Sequence, residues 1–283
     1  MLRLASLLVP AAVAGLLLAC SADTRPPIAA DDAVAAAAAA AQERPDSTRI
    51  AFDRIMAFAR DSALAEEEDF GRILQAVGRQ LLRAPYVAGM LDAAEDETLV
   101  ADLTAFDCVL YVENVLALGR MIAVGDTTFD AYVRNVEQLR YRGGEMDGYC
   151  SRLHYFTDWI AENERRGLVT DVASDSVYEC IVGVEQGLRG HELFYIPKAD
   201  IAASYDRLRP GDIIATATHI DGLDVTHTGF VYRTADGGTA FLNASLSGEV
   251  KIAEDLARYV QGVRAQTGIL VARPADPRAA PAH

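Results

Sequence analysis

The sequence predicts an α+β fold, N-terminal helices packed on an antiparallel β-sheet, and three observations carry that prediction. Apolar residues recur at helical spacing through the first half of the chain. From Gly211 onward the pattern changes to short β-rich runs: DIIATAT, TGFVYRT, TAFLNAS, GEVKIA and GILVARP. Between the second and third of these stands ADGG, Ala235 to Gly238, a hairpin signal. Helices first and hairpin-linked strands second are the mark of the α+β class.

The helices follow in order. Phe52, Ile55, Met56 and Ala59 form one apolar stripe, and Phe70, Ile73, Leu74, Val77 and Leu81 form a second. The acidic run Glu66 to Asp69 precedes the second helix, where negative charge suits the positive end of the helix dipole. After a looped stretch around Pro85 and Gly89, a third stripe comprises Cys108, Val112, Val115, Leu116 and Gly119, which sets Cys108 in a first turn. A fourth helix is predicted to begin after Ser151, with Leu153, Phe156 and Ile160 on one side. Arg165 and Arg166 fall in its last turn and Gly167 is the stop.

The ends of the chain read differently. Arg3, the apolar run Leu4 to Leu18 and a small residue before the break describe a secretory signal, too short for a spanning helix. With Cys20 directly after Ala19 it resembles a bacterial lipoprotein signal, which implies cleavage after residue 19 and lipid on Cys20; an ordinary cleaved signal would share the same apolar core. Ser21 rather than aspartate follows, so an outer-membrane anchor facing the periplasm is expected. Residues 20–45, with the run Ala35 to Ala41, lack a bulky periodic face and are expected to form a flexible tether. Residues 46–275 are then one domain with a helical N-terminal extension, and 276–283 a disordered Pro/Ala-rich tail.

A formal net charge of −15 and the absence of a basic cluster argue against a nucleic-acid partner. After Cys20 three cysteines remain, Cys108, Cys150 and Cys180, an odd number for an oxidising compartment. Cys150 with Cys180 is a possible bridge whose geometry sequence does not give. Without a CxxC pair, neither a thiolate zinc site nor a thioredoxin-type motif is supported. A monomer is expected.

A cysteine at a helix N-terminus has its thiolate favoured by unsatisfied amides and by the dipole, so Cys108 is a candidate nucleophile. Taken alone, a cysteine on an apolar stripe is more often a small core residue. It needs a base. Of the five histidines, His283 lies in the tail and His191 in a Gly-flanked loop, neither with a rigid platform. His227, in LDVTHTGF, opens a strand whose successor ends in FLNAS. If ADG forms a three-residue loop with Gly237 left-handed, Thr234 pairs with Gly238, His227 lies opposite Ser245, and Asn243 is diagonally adjacent on the same face. An amide oxygen could then orient the imidazole. A loop one residue longer would turn Asn243 to the other face.

Cysteine early on a helix, then histidine and an amide on later strands, is the order of papain-like cysteine hydrolases. FDCVLYVENVLALGR, SRLHYFTDWI, RPGDIIATAT, GLDVTHTGF and FLNAS, in this order, resemble the amidase-like family of lipoproteins and periplasmic proteins within the NlpC/p60 superfamily of cell-wall hydrolases, over roughly Phe70 to Arg273. The resemblance implies a papain-like fold and an N-acetylmuramoyl-L-alanine amidase acting on peptidoglycan fragments, notably anhydromuropeptides, with no metal or cofactor. On that resemblance Cys108 matches the nucleophile and His227 the general base. The third position is commonly a histidine in the family and is Asn243 here. Asp107, of the usual DC pair, either caps the helix or meets substrate. Tyr86 in APY either lines the cleft or packs beside Pro85. Ser151, Arg152, His154 and Tyr155 are expected to meet sugar or carboxylate, Arg152 by its fork geometry; a structural His154–Asp158 pair at i, i+4 is the other reading. Asp224 either contacts a substrate amine or holds its loop. Two competing readings are an endopeptidase cutting after D-Glu and a catalytically silent lipoprotein that binds wall fragments.

Overall fold

The computed structural model of the protein describes residues 47–172, 179–180 and 194–279. The predicted signal and tether with Cys20, the loop bearing His191, and His283 lie outside the described residues.

Both early stripes are helices with buried faces. Helix α1, residues 47–61, buries Phe52, Ile55, Met56 and Ala59. Helix α2, Phe70–Gln80, starts at Asp69, whose carboxylate accepts the Gly71 amide at 2.9 Å, and buries Phe70, Ile73, Leu74 and Val77. Helix α3, Cys108–Ala123, is the central one: every residue from Leu110 to Gly119 is buried. Its stripe is therefore only part of its apolar surface, because α2, helix α4 (Phe129–Arg140) and the sheet enclose it from several sides. A Cβ on Gly119 would lie 2.3 Å from Leu74 Cδ2, so the glycine is what lets α2 and α3 approach.

Two helices escape the stripe argument. In α4 the Thr128 hydroxyl accepts the Ala131 amide, and Ala131, Tyr132, Val136 and Leu139 are buried. Helix α6, Leu256–Gly262, begins on Asp255, whose carboxylate accepts the Arg258 amide at 2.7 Å. A third difference is the start of helix α5, which spans Phe156–Arg165. Tyr149–Ser151 instead form a 3₁₀ turn and Arg152 is extended, so the fourth helix opens later than predicted. Gly167, at φ +70°, stops the chain after α5 as expected.

The five predicted β runs are all strands: β4 (Ile213–Thr218), β5 (Val225–Arg233), β6 (Thr239–Ala244), β7 (Val250–Ala253) and β8 (Gln266–Pro274). Short strands β1 (Val169–Asp171), β2 (Glu179–Cys180) and β3 (Phe194–Pro197) add an edge that the sequence pattern is too brief to mark. The order is β2-β3-β8-β4-β5-β6-β7, β1 also pairs with β8, and all these pairs are antiparallel. Along β4, Ile213, Ala215 and Ala217 join the core beneath α2 and α3, whereas Ile214 joins a second core with Val231, Phe241, Ile269 and α6. The strand period of two thus serves two apolar layers.

The chain just past Pro274 is tied down at its start. Arg278 donates to the carbonyls of Glu67 and Glu68, at 2.7 and 3.1 Å, and Ala275 donates to Leu168. Residues 276–279, predicted as part of a disordered tail, are therefore held by one arginine against the segment before α2.

Candidate active site

Cys108 is the first residue of α3. Asp107 is the N-cap, its carboxylate accepting the Leu110 amide at 2.8 Å, as the first of its two readings expects. Thr228 on β5 donates its hydroxyl to the Cys108 carbonyl at 2.8 Å and so fastens the first turn of α3 to the strand that carries His227. Cys108, His227 and Thr228 line one cleft of about 510 Å³, together with His154, Tyr155 and Asp224.

The β5–β6 hairpin sets the partner of His227. Thr234 donates its amide to the Gly238 carbonyl at 3.1 Å and Gly237 is left-handed at φ +87°. The loop therefore holds three residues, and the register runs Phe230 with Leu242, Val231 with Phe241, Arg233 with Thr239. The pairing ends at Phe230 with Leu242, and beyond it Asn243 comes beside His227. His227 Nε2 lies 2.9 Å from Asn243 Oδ1, and Asn243 Nδ2 donates to the Phe241 carbonyl at 3.1 Å. With the amide nitrogen so committed, Oδ1 faces the ring and Nε2 must be the donor. The proton sits on Nε2, and Nδ1, buried and without a hydrogen-bond partner, carries the free lone pair. Phe241 and Tyr259 pack around the ring, each with its centroid 5.9 Å from the imidazole.

Burial favours the uncharged form of both reacting candidates. Burial, then the neighbouring Asp107 carboxylate, pushes the Cys108 thiol up to about 11, against a lowering by hydrogen bonds with Thr228. The expectation of a thiol lowered by its helix terminus is overturned: loss of solvation outweighs the aligned amides. Burial lowers the His227 pKa, while its bond to Asn243 acts in the opposite direction. The arrangement offers a neutral thiol and a neutral imidazole, with a general base ready to take a proton.

The other predicted residues divide. Tyr86 lies near enough to Cys108 and Asp107 for both to add to the effect of burial, which pushes its hydroxyl up to about 12, so it stays a donor. Asp224 is a tie: one carboxylate oxygen accepts the Thr157 amide and hydroxyl, both at 2.7 Å, and the other accepts the Val225 amide. It caps the start of α5 from a distant loop, the loop-holding alternative. Arg152 does not present an open fork. It is 6% exposed, donates to the Leu91 carbonyl at 2.9 Å and to Asp92, and faces Glu97 at 3.6 Å. Its predicted carboxylate site is thus filled from within the chain. The His154–Asp158 pair fails because His154 precedes the helix; Asp158 pairs with Arg142, and His154 Nε2 meets the Tyr149 carbonyl at 2.9 Å. Ser151 donates to the Gly148 carbonyl within its own turn. Cys150, beside it, is exposed with a free thiol, and the side chain of Cys180 lies outside the described residues.

Sequence reasoning passes over four contributing residues. Thr228 follows His227 and points to the other side of the strand, a plain consequence of strand period that could have marked it. Tyr149, just ahead of SRLHYF, lines the cleft and is 60% exposed. Glu113 and Arg140, an ion pair at 2.8 Å with both side chains 1% exposed, form the floor of a smaller chamber of about 200 Å³ that shares Val109, His154 and Phe156 with the main cleft. Among the described residues no group of three His, Cys, Asp or Glu could hold a metal ion.

Residues 76–269 match a family described as AmiA-like, N-acetylmuramoyl-L-alanine amidase-like. No curated protein matches the chain. Among solved structures, an N-acetylmuramoyl-L-alanine amidase from Bacteroides uniformis ATCC 8492 is similar at 31% identity and TM-score 0.66, over 73% of this chain and 99% of its own. A Bacteroides fragilis structure named, with reservation, as a xylanase is similar at 31% identity and TM-score 0.59, over 69% of this chain and 98% of its own. A Legionella pneumophila protein at 18% identity and TM-score 0.64, over 80% and 95%, shares the fold.

Proposed function

The chain belongs to the N-acetylmuramoyl-L-alanine amidase-like family, and from that premise we propose that it is a cysteine-dependent peptidoglycan amidase of the papain-like NlpC/p60 superfamily. Its substrate is a muropeptide, notably the anhydro form, and the bond cut is the amide between the lactyl group of the muramic acid and L-Ala. The single observation that carries this reading is the His227 ring, tied through Nε2 to Asn243 with Nδ1 free, in the cleft that Cys108 lines.

In the first step His227 Nδ1 takes the thiol proton as the Cys108 sulfur attacks the lactyl carbonyl. Because the thiol rests protonated, proton transfer accompanies attack instead of preceding it. Negative charge on the carbonyl oxygen is met by the Cys108 amide at the helix start and by the Tyr86 hydroxyl. His227 then returns the proton to the L-Ala nitrogen, the C–N bond breaks, and the thioester remains. Water, activated by the same nitrogen, releases the muramic carboxylate and restores the thiol. Asn243 keeps the imidazole in the reactive tautomer throughout.

A glycosidase reading, which the Bacteroides fragilis name suggests, finds less support. That chemistry needs two carboxyl groups free to act across one bond. Asp107 and Asp224 are bound to backbone amides. Residues 1–19 as a lipoprotein signal, lipid on Cys20, a tether to residue 45 and a monomer at the periplasmic face of the outer membrane complete the proposal.

The test is mass spectrometry of defined disaccharide-peptides, with and without the anhydro end, after incubation with the soluble chain from Pro45 and its Cys108→Ala variant. Free peptide released by the parent alone supports the amidase. A disaccharide retaining L-Ala-D-Glu assigns the endopeptidase, and no product from either protein assigns a silent binding lipoprotein.

A further inference from the structure

The wall of the cleft carries an aromatic side chain that the reaction does not use. Tyr149, which lines the cleft, is 60% exposed. Its ring is nonetheless packed against two neighbours. The His154 ring packs against it with centroids 4.3 Å apart at 41°, and His154 Nε2 is bonded to the Tyr149 carbonyl. The Arg152 guanidinium lies 5.0 Å from the ring centroid and is itself anchored on the Leu91 carbonyl and Asp92. Leu223, also lining the cleft, is 48% exposed.

A ring packed between the anchored Arg152 guanidinium and the His154 imidazole has lost part of its freedom before any ligand arrives, so a ligand that stacks on it bears less ordering cost. Such a surface suits a flat group with apolar C–H faces and polar edges. A hexopyranose has that form; a stem peptide of small and acidic residues has no comparable flat face. We propose that Tyr149 is the stacking platform for a sugar ring of the substrate, which makes it a specificity-determining residue. This rests on the reading of the cleft as a muropeptide site.

The test separates binding from chemistry. In the full soluble chain carrying Cys108→Ala, binding of the peptide-free disaccharide N-acetylglucosaminyl-N-acetylmuramic acid is measured by calorimetry and by saturation-transfer NMR. Adding Tyr149→Ala is expected to raise Kd about tenfold, whereas Tyr149→Phe, which keeps the ring, stays within about threefold. Unchanged affinity in Tyr149→Ala, equal loss in Tyr149→Phe, or no binding by the Cys108→Ala protein would each overturn the platform. Ring-dependent binding combined with no hydrolysis by the parent would keep the platform and remove the amidase.

Discussion

Asn243→Leu is the substitution that most directly examines the active-site geometry. It keeps the approximate side-chain volume, removes the acceptor 2.9 Å from His227 Nε2 and removes the donor to the Phe241 carbonyl. A buried N–H left without its acceptor costs about 1–3 kcal/mol. The imidazole recovers that cost by turning or by moving its proton to Nδ1, and either change removes the base from the thiol. At 1.36 kcal/mol per decade, kcat/KM should fall between about 5-fold and 150-fold, carried by kcat with KM little changed. The assay is initial-rate release of peptide from a purified disaccharide-tetrapeptide, with circular dichroism to show that both proteins are folded. Ser245→Ala is the companion. Ser245 follows the last residue of β6 and its oxygen accepts from the Ser247 amide at 3.3 Å, so its loss should leave kcat within about twofold. An Asn243→Leu protein as active as the parent, or a Ser245→Ala protein equally damaged, would refute the assignment of Asn243 as orienter.

Three further outcomes are expected. Since burial lowers the His227 pKa and the imidazole must be neutral to act, activity should be lost only as pH falls below the ordinary histidine value of about 6.5; the alkaline limb should follow the Cys108 thiol near about 11, read from kcat/KM against pH. Asp107→Ala should act in two directions, costing about 1 kcal/mol of stability through the lost cap while bringing the Cys108 thiol down and quickening its alkylation by iodoacetamide at fixed pH. Glu113→Ala leaves the Arg140 guanidinium buried and unpaired, and denaturant unfolding should report a loss of about 3–5 kcal/mol.

Much of the site was legible because its determinants are local. The Cys108 position follows from a stripe and a cap, and the placing of Asn243 on the His227 face from the length of one hairpin loop, since side chains alternate along a strand. Arg152 shows where that reasoning ends. Its fork geometry is a property of the residue, but whether the fork is open depends on Leu91, Asp92 and Glu97, some sixty residues earlier in the chain. Asp224 is similar: a residue in a loop becomes the cap of a helix that begins near Phe156. The start of α5 escapes the periodicity because Leu153 falls at helical spacing from Phe156 although Arg152 and Tyr155 on either side of it are extended.

By itself the sequence determined the class of fold, the extent of the main strands, the two early helices and the pair Cys108 and His227 as candidates, because periodicity, caps and tight turns are short-range physics. Tertiary structure alone decided that these two share one cleft, that Tyr149 stands exposed in its wall, and that burial favours the Cys108 thiol. The last is the clearest case. A helix terminus favours the thiolate locally, but burial of the same sulfur and the neighbouring Asp107 carboxylate favour the thiol, and solvation of a charge is the larger quantity.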